Sequence, residues 1–414
     1  MADGQHAPVV ERPFHPDHRA GLVELEVFPI DMVYLDHAAT TPPHPDVAAA
    51  MQPYLEGRFG NPSAIYAMGR ESRAAIETAR RQVAGLIGAG TGEVFFTSGG
   101  SESDNMALWG TLLANEGKGN HIVTSAIEHH AVLETAEFLT AHGYETTFVG
   151  VDSTGVVDPD DIRKAITAST IVVSVMHANN EVGTIEPVRE IAGVCREAGV
   201  LLHTDAVQTV GNVHVDVDDL GVDLLSMSGH KLYGPKGIGA IYIRNGTKIT
   251  RFIHGGEQEH GKRAGTENIA GIVGLGVAAE VAAAEMDDKV GRIGKLRDRL
   301  VDGLSAEIPD VFLNGHPTLR LPNNAHVGVE FIEGEAICLQ LDIVGICAST
   351  GSACSSEALE PSHVLLAMGV PARDAQGSVR FSLGRGTTVE EIDYVIETLP
   401  PIIERLRSMS PLAR

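Results

Sequence analysis

The stretch DLLSMSGHKLYGPKGIGA (223–240) joins an apolar, strand-like run to a glycine-punctuated turn carrying Ser228, His230 and Lys231. A lysine just beyond a buried strand, among Gly229, Gly234 and Gly237, can be partly desolvated. Desolvation lowers an amine's pKa and frees a nucleophile able to form a Schiff base with an aldehyde cofactor. A solvated loop lysine is the plain alternative, and the rest of the chain has to decide between them.

Composition narrows the classes. The chain has 414 residues, enough for a large core divided among two or three domains. Its formal charge of -24 gives no basic stripe to meet a nucleic acid or an anionic membrane. Residues 1–30 show no secretory pattern, and no apolar run approaches a bilayer span. The four cysteines, Cys195, Cys338, Cys347 and Cys354, form no CxxC pair and are too sparse for a disulfide framework. A soluble, cytoplasmic protein is expected. No metal-ligand pattern stands out.

Outward from the lysine turn, the chain repeats one unit. EVFFTSGGSESDNMALWGTLL (93–113) reads as a strand, a glycine turn and a helix, and HIVTSAIEHHAVLETAEFLTAHG (121–143) repeats it. TTFVGVD, IVVSVMHANNEVG and VLLHTDAVQ continue the alternation. Alternating strands and helices predict a mostly parallel sheet, whose ligands gather at the carboxyl ends of the strands. Ser101, His129, Asn180, Asp205, Gln208 and Lys231 all fall at such ends. An alanine-rich helix from about 270 to 286 marks a boundary, and strands 325–331, 345–349 and 378–383 with helices 334–343, 362–368 and 387–407 suggest a smaller α+β domain. The expected division is an N-terminal extension 1–30, a large domain 45–288 and a small domain 289–414, with 31–44 contributing to the small one.

Each chemical signal is ambiguous alone. The turn Ser98-Gly99-Gly100-Ser101 before a helix is a ready phosphate site, or a plain connection; it is not a Walker A loop. Asp205 at a strand end is a helix cap, or the partner of a cationic ring nitrogen. A phosphate turn, an acidic strand end, the flat ring of His129 and a downstream lysine together are what pyridoxal phosphate needs. Cys195, Cys338 and Cys347 read as buried structural cysteines. Cys354 differs: STGSACSSEALEPSH (349–363) is small and polar, reads as a loop, and leaves a thiol free to ionise and react.

In chain order, YLDHAATTP, FGNPS, FTSGGSESDN, EHHAVL, NNEVG, HTDAVQ, SMSGHKLYGPKGIGA, RAGTEN, STGSACSS and SVRFSLGR resemble the cysteine desulfurases of the NifS/IscS type. These are class V aminotransferase-family enzymes dependent on pyridoxal 5'-phosphate, and the resemblance covers about 33–410. It implies an aspartate aminotransferase-like, fold type I α/β architecture. Carried over by position, Lys231 would hold the cofactor, His129 would stack on its ring, and Asp205 would pair with the ring nitrogen. Gln208 and Asn180 would contact the ring hydroxyl. Gly100, Ser101, Ser228 and His230 would take the phosphate, joined by Thr266 of the neighbouring subunit in a homodimer. Arg380, with Asn61 nearby, would clamp the substrate carboxylate.

The same resemblance implies conversion of L-cysteine to L-alanine. Lys231 would move the α-proton, His129 would act as acid or base, and Cys354 would receive the sulfur as a persulfide for an acceptor such as an iron–sulfur scaffold or a tRNA-thiolation protein. A selenocysteine lyase, an aminotransferase of the same fold and a non-catalytic sulfur-acceptor scaffold are the alternatives. The chain departs from the family pattern at Glu257 and His260, which replace glycine and arginine, and at Tyr66, where histidine is common. Ser101 replaces a threonine and keeps the hydroxyl.

Overall fold

Seven short strands make the central sheet of the computed structural model, which describes residues 32–351 and 361–410. Strand β1 (Val33–Tyr34) lies outside that sheet. Its members are β2 (Val94–Thr97), β3 (His121–Ser125), β4 (Glu145–Val149), β5 (Thr170–Ser174), β6 (Leu201–Asp205), β7 (Leu224–Ser228) and β8 (Gly239–Ile243). They lie side by side in the order β2-β8-β7-β6-β5-β3-β4. Six run parallel, and β8 is antiparallel to both of its neighbours. The expected mostly parallel sheet is present.

Connection length explains the exception. Parallel neighbours need a crossover, and helices Gly100–Ala114, His130–Ala141, Pro159–Ala165 and Val188–Ala198 follow β2, β3, β4 and β5. Only residues 229–238 separate β7 from β8, too few for a crossover, so the chain must turn straight back. Lys231 sits in that turn. Strands β3, β5, β7 and β8 are buried at every residue, and Ile122, Val123, Val172, Val173 and Ile241 are wholly enclosed. Such near-continuous burial is what helices on both faces of a parallel sheet produce.

A second core forms around an antiparallel sheet of β9 (Val311–Leu313), β10 (Asn324–Val329) and β12 (Ser378–Ser382), in the order β12-β10-β9. Strand β11 (Ile346–Cys347) pairs parallel with β1. Helices Gly334–Ile343 and Val389–Met409 cover this core with Ile337, Leu341, Ile392, Val395 and Leu399. Val33 and Leu35 are part of it too, so the first described residues pack with the last third of the chain.

The helix expected to end near 286 runs unbroken through Ile269–Glu307. Its Leu275, Ala278 and Ala279 belong to the first core, while Ile293, Leu296, Leu300 and Leu304 belong to the second. The apolar three-and-four spacing continues beneath the charged stretch after Met286, and this sustains the helix. The helix is long and apolar enough to cross a bilayer by composition, yet half of that apolar window is buried. Helix Pro45–Glu56 escaped sequence reading because the surrounding prolines read as a turn. Pro45 opens it, and the Asp46 amide donates to His44 Nδ1 at 3.1 Å to cap it.

Two glycines of the long helix make opposite predictions. A Cβ at Gly276 would stand 2.7 Å from Ala79 Cβ, where helix Ala67–Leu86 crosses closely, whereas nothing lies within 4 Å of one at exposed Gly291. Gly276→Ala should destabilise the protein by about 1–3 kcal/mol through overpacking. Gly291→Ala should stabilise it by roughly 0.5–1 kcal/mol by lowering the entropy of the unfolded chain. Denaturant titration of both variants checks the pair, and equal effects would refute the packing assignment.

Candidate active site

The carboxyl ends of five parallel strands surround one cavity of about 260 Å³. Strand β2 leads to Gly100 and Ser101, β3 to His129, β5 to Asn180, β6 to Asp205 and Gln208, and β7 to Ser228, His230 and Lys231. Nine sequence-predicted residues therefore converge in space. Thr266 does not line this cavity; it is exposed in the loop 254–268. Asn61 is also exposed and accepts from the Ser63 amide at 2.8 Å. Cys354 lies outside the described residues.

Ala39, Asp104, Met176 and Val207 complete the lining and were not singled out from the sequence. Asp104 lies four residues past Gly100, on the same side of the helix, and that spacing was the available signal. Ala39 belongs to LDHAATT, whose backbone does the work: Lys231 Nζ donates to the carbonyls of Ala38 and Ala39, the latter at 2.8 Å. Gln208 Nε2 donates to the Ala38 carbonyl at 3.1 Å.

The phosphate-type end is built from backbone. Helix Gly100–Ala114 points its free amides at the cavity, and the hydroxyl of Ser101, that of Ser228 and the imidazole of His230 stand around them. A Cβ on Gly100 would come within 2.7 Å of Val207 Cγ2, so glycine keeps this approach open. His230 Nδ1 pairs with Thr40 Oγ1 at 3.1 Å, and burial holds its pKa down to about 4.

At the opposite end, Asp205 accepts from the Val207 amide at 2.9 Å. Burial pushes its carboxyl up to about 6, with Lys231 drawing it down. Beneath it, His203 pairs with Ser174 Oγ at 2.8 Å and Ser226 Oγ at 2.9 Å, and burial keeps it neutral with a pKa of about 3. Asp104 Oδ1 is 3.6 Å from His203 Nε2, and burial raises that carboxyl well above its ordinary range. His129 Nδ1 accepts from the Ala131 amide at 3.1 Å, which places the ring proton on Nε2. Burial, with Lys231 beside it, lowers its pKa to about 4.

Arg380 is 3% exposed. Its Nη1 donates to the Asn180 carbonyl at 2.8 Å and its Nη2 to Asp36 Oδ1 at 3.0 Å. Among the described residues its buried Nε has no partner, and neither does the buried Oδ1 of Asn180. The arrangement offers an amine, a flat imidazole, a deep carboxylate and helix-start amides in one enclosure. Of the described cysteines, Cys195 is buried as expected, whereas Cys338 and Cys347 are only partly buried. Burial pushes the thiols of Cys195 and Cys338 up to about 12 and raises that of Cys347, so all three stay protonated and poorly nucleophilic.

A family model described as aminotransferase class-V matches residues 33–395. The cysteine desulfurase IscS of Dictyoglomus turgidum is 55% identical over 379 residues, covering 92% of this chain and 96% of that protein. A solved NifS-like protein superposes with a TM-score of 0.86 at 39% identity, covering 91% of this chain and all of its own. A structure titled SspA in complex with cysteine gives 0.77 at 34% identity, over 85% and 98% of the two chains.

One buried acid beside the site makes a pH prediction. Glu128 Oε1 accepts from Ser125 Oγ at 2.5 Å and the Met176 amide at 2.9 Å, while Oε2 has no partner among the described residues. Burial pushes its carboxyl from an unfolded value near 4.5 up to about 8. Between those values the folded protein holds a proton that the unfolded chain has released, so stability falls as pH rises through this window. Glu128→Gln should flatten that fall, with the largest gain over the parent near pH 8. Urea melts at pH 5, 6.5 and 8 decide it, and parallel curves would refute it.

Proposed function

We propose how this chain's residues carry its reaction from one premise: the chain belongs to the class-V aminotransferase family and is a pyridoxal-phosphate-dependent cysteine desulfurase. The carrying observation is the convergence of nine residues from five strand ends on the cavity that holds Lys231 and Asp205. The residues fit the cofactor. The orphaned Asn180 Oδ1 suits a ring hydroxyl, the Gly100 amide cradle suits a phosphate, and the costly buried carboxylate of Asp205 suits a cationic ring nitrogen.

When bound, pyridoxal phosphate supplies an electron sink for the α-carbon of the amino acid. Lys231 Nζ would hold the cofactor's aldehyde carbon until the substrate's amine takes its place there, and the amine so released would take the substrate's α-proton, aimed by the Ala38 and Ala39 carbonyls. Gln208 and Asn180 would hold the ring hydroxyl, and Gly100, Ser101, Ser228 and His230 would hold the phosphate. Neutral His129 would stack on the ring and turn its Nε2–H, as a hydrogen-bond donor, toward the substrate side. Arg380 and Asn61 receive the carboxylate of L-cysteine, for which Arg380 Nε, without a partner among the described residues, is the available donor.

Cys354 supplies the second nucleophile. Its thiolate attacks the substrate sulfur, the substrate carbon–sulfur bond breaks, and a persulfide remains on Cys354 while L-alanine leaves after protons return to its carbons. The raised thiol pKa values of the three described cysteines support leaving this task to Cys354. The sulfur then passes to an acceptor such as an iron–sulfur scaffold or a tRNA-thiolation protein. The free thiols of Cys195 and Cys338 support a cytoplasmic setting.

A homodimer with shared sites completes the reading. Thr266 stands exposed outside its own cavity, which supports its serving the phosphate of a second copy. Leu55, Phe59, Ile65 and Tyr66, 64%, 71%, 91% and 56% exposed, offer apolar surface for that copy to cover.

Cys354→Ala should keep the visible cofactor absorbance and lose sulfide release from L-cysteine; unchanged turnover would remove the persulfide step. Lys231→Ala should yield no cofactor-modified peptide after borohydride reduction and mass spectrometry. A modified peptide at another lysine would refute that assignment.

A further inference from the structure

The loop 254–268 contains two consecutive non-glycine residues in the left-handed region, Glu259 at φ 47° and His260 at φ 53°. Left-handed backbone crowds Cβ against the following carbonyl, so two in a row persist only where other contacts hold the chain. The holding contact lies inside the protein. Glu259 is 6% exposed and faces Arg80, which is 2% exposed. Arg80 Nη1 donates to Glu259 Oε2 at 2.7 Å and Nη2 donates to Oε1 at 2.9 Å, a two-pronged pairing. The Phe96 amide donates to the same Oε2 at 2.8 Å.

Arg80 is itself fixed. Its Nη1 also donates to the Val94 carbonyl at 2.8 Å, and its guanidinium lies 4.8 Å from the centre of the Phe96 ring. A second anchor follows on the same loop: Arg263 Nε and Nη2 donate to the Glu102 carboxylate at 2.9 and 3.2 Å. Glu102 also accepts from the Ser98 amide at 2.8 Å, within the glycine turn that edges the cavity. Asn268 ends the loop by capping the long helix through the Gly271 amide at 3.0 Å. Exposed Thr266 lies between these fixed points.

We infer that the buried Arg80–Glu259 ion pair is a clasp that holds loop 254–268 in its left-handed turn and thereby presents Thr266 to the phosphate of a second copy. Arg80 and Glu259 are positioning residues that govern cofactor retention in the neighbouring subunit's cavity more than in their own. The inference rests on the shared-site dimer proposed above. Within its own subunit the loop contributes to the phosphate turn through Arg263–Glu102, which survives loss of the clasp.

Heterodimers of two differently tagged chains separate the two directions. One chain carries Lys231→Ala, so only the other chain's cavity holds cofactor covalently, and loss of visible absorbance is followed after dilution into a cofactor scavenger. Glu259→Gln on the Lys231→Ala chain, opposite the competent cavity, should speed that loss about tenfold or more. On the competent chain itself it should change the loss by no more than about twofold. An equal or larger effect on its own cavity, or no effect in either arrangement, would overturn the clasp.

If Glu259→Gln does not yield folded protein, the pair Arg80→Met with Glu259→Leu goes through the same arrangement with the same expectations. It removes both charges without leaving one buried and unpaired. A parent protein that sediments as a monomer would overturn the shared-site reading and the clasp's role across subunits with it; a dimer without the cross-subunit effect overturns the clasp alone.

Discussion

A carboxylate buried at the end of a parallel strand is the constraint on which the site depends. Asp205 sits in the sheet interior with one backbone amide on it, and burial alone would favour its protonated form. The groups around it are arranged so as not to worsen this. His203 is kept neutral between two serine hydroxyls, and burial raises the carboxyls of Asp104 and Glu128 above their ordinary range. Lys231 is the side chain whose positive charge draws Asp205 down. Further positive charge brought into the cavity would lower it in the same way, as in the proposed pairing of Asp205 with a protonated pyridine ring.

The topology delivers that lysine. Because residues 229–238 are too short to cross over the sheet, the chain reverses at the carboxyl end of β7, and the reversal places Lys231 on the same side as the ends of β2, β3, β5 and β6. The LDHAATT segment, packed with the C-terminal third through Leu35, offers the Ala38 and Ala39 carbonyls to the lysine amine. The first described residues and the lysine turn are thus joined at the Lys231 amine, although nearly two hundred residues separate them.

Much of this was readable in the chain. The alternation of apolar strands with amphipathic helices gave the parallel sheet, and polar residues at strand ends gave the cavity lining, because period and position are local properties. The length of the helix Ile269–Glu307 was less legible: a charged stretch masks the apolar spacing of Ile293, Leu296, Leu300 and Leu304, which matters only once a second core is there to receive it. The helix Pro45–Glu56 was hidden by prolines that act as helix openers only with His44 in capping position.

By itself, then, the sequence determined the fold class, the lysine turn, the glycine cradle and the family, all of which rest on local pattern and ordered motifs. Tertiary structure alone decided which groups face which. It turned Thr266 out of its own cavity, set Asp36 against Arg380, placed Asp104 against His203 and buried Glu259 against Arg80. Glu259 and Arg80 are 179 positions apart, and their attraction depends on a shared dry interior that no spacing along a chain encodes. Local geometry is written residue by residue, whereas electrostatic partnership exists only after packing has excluded the water between the partners.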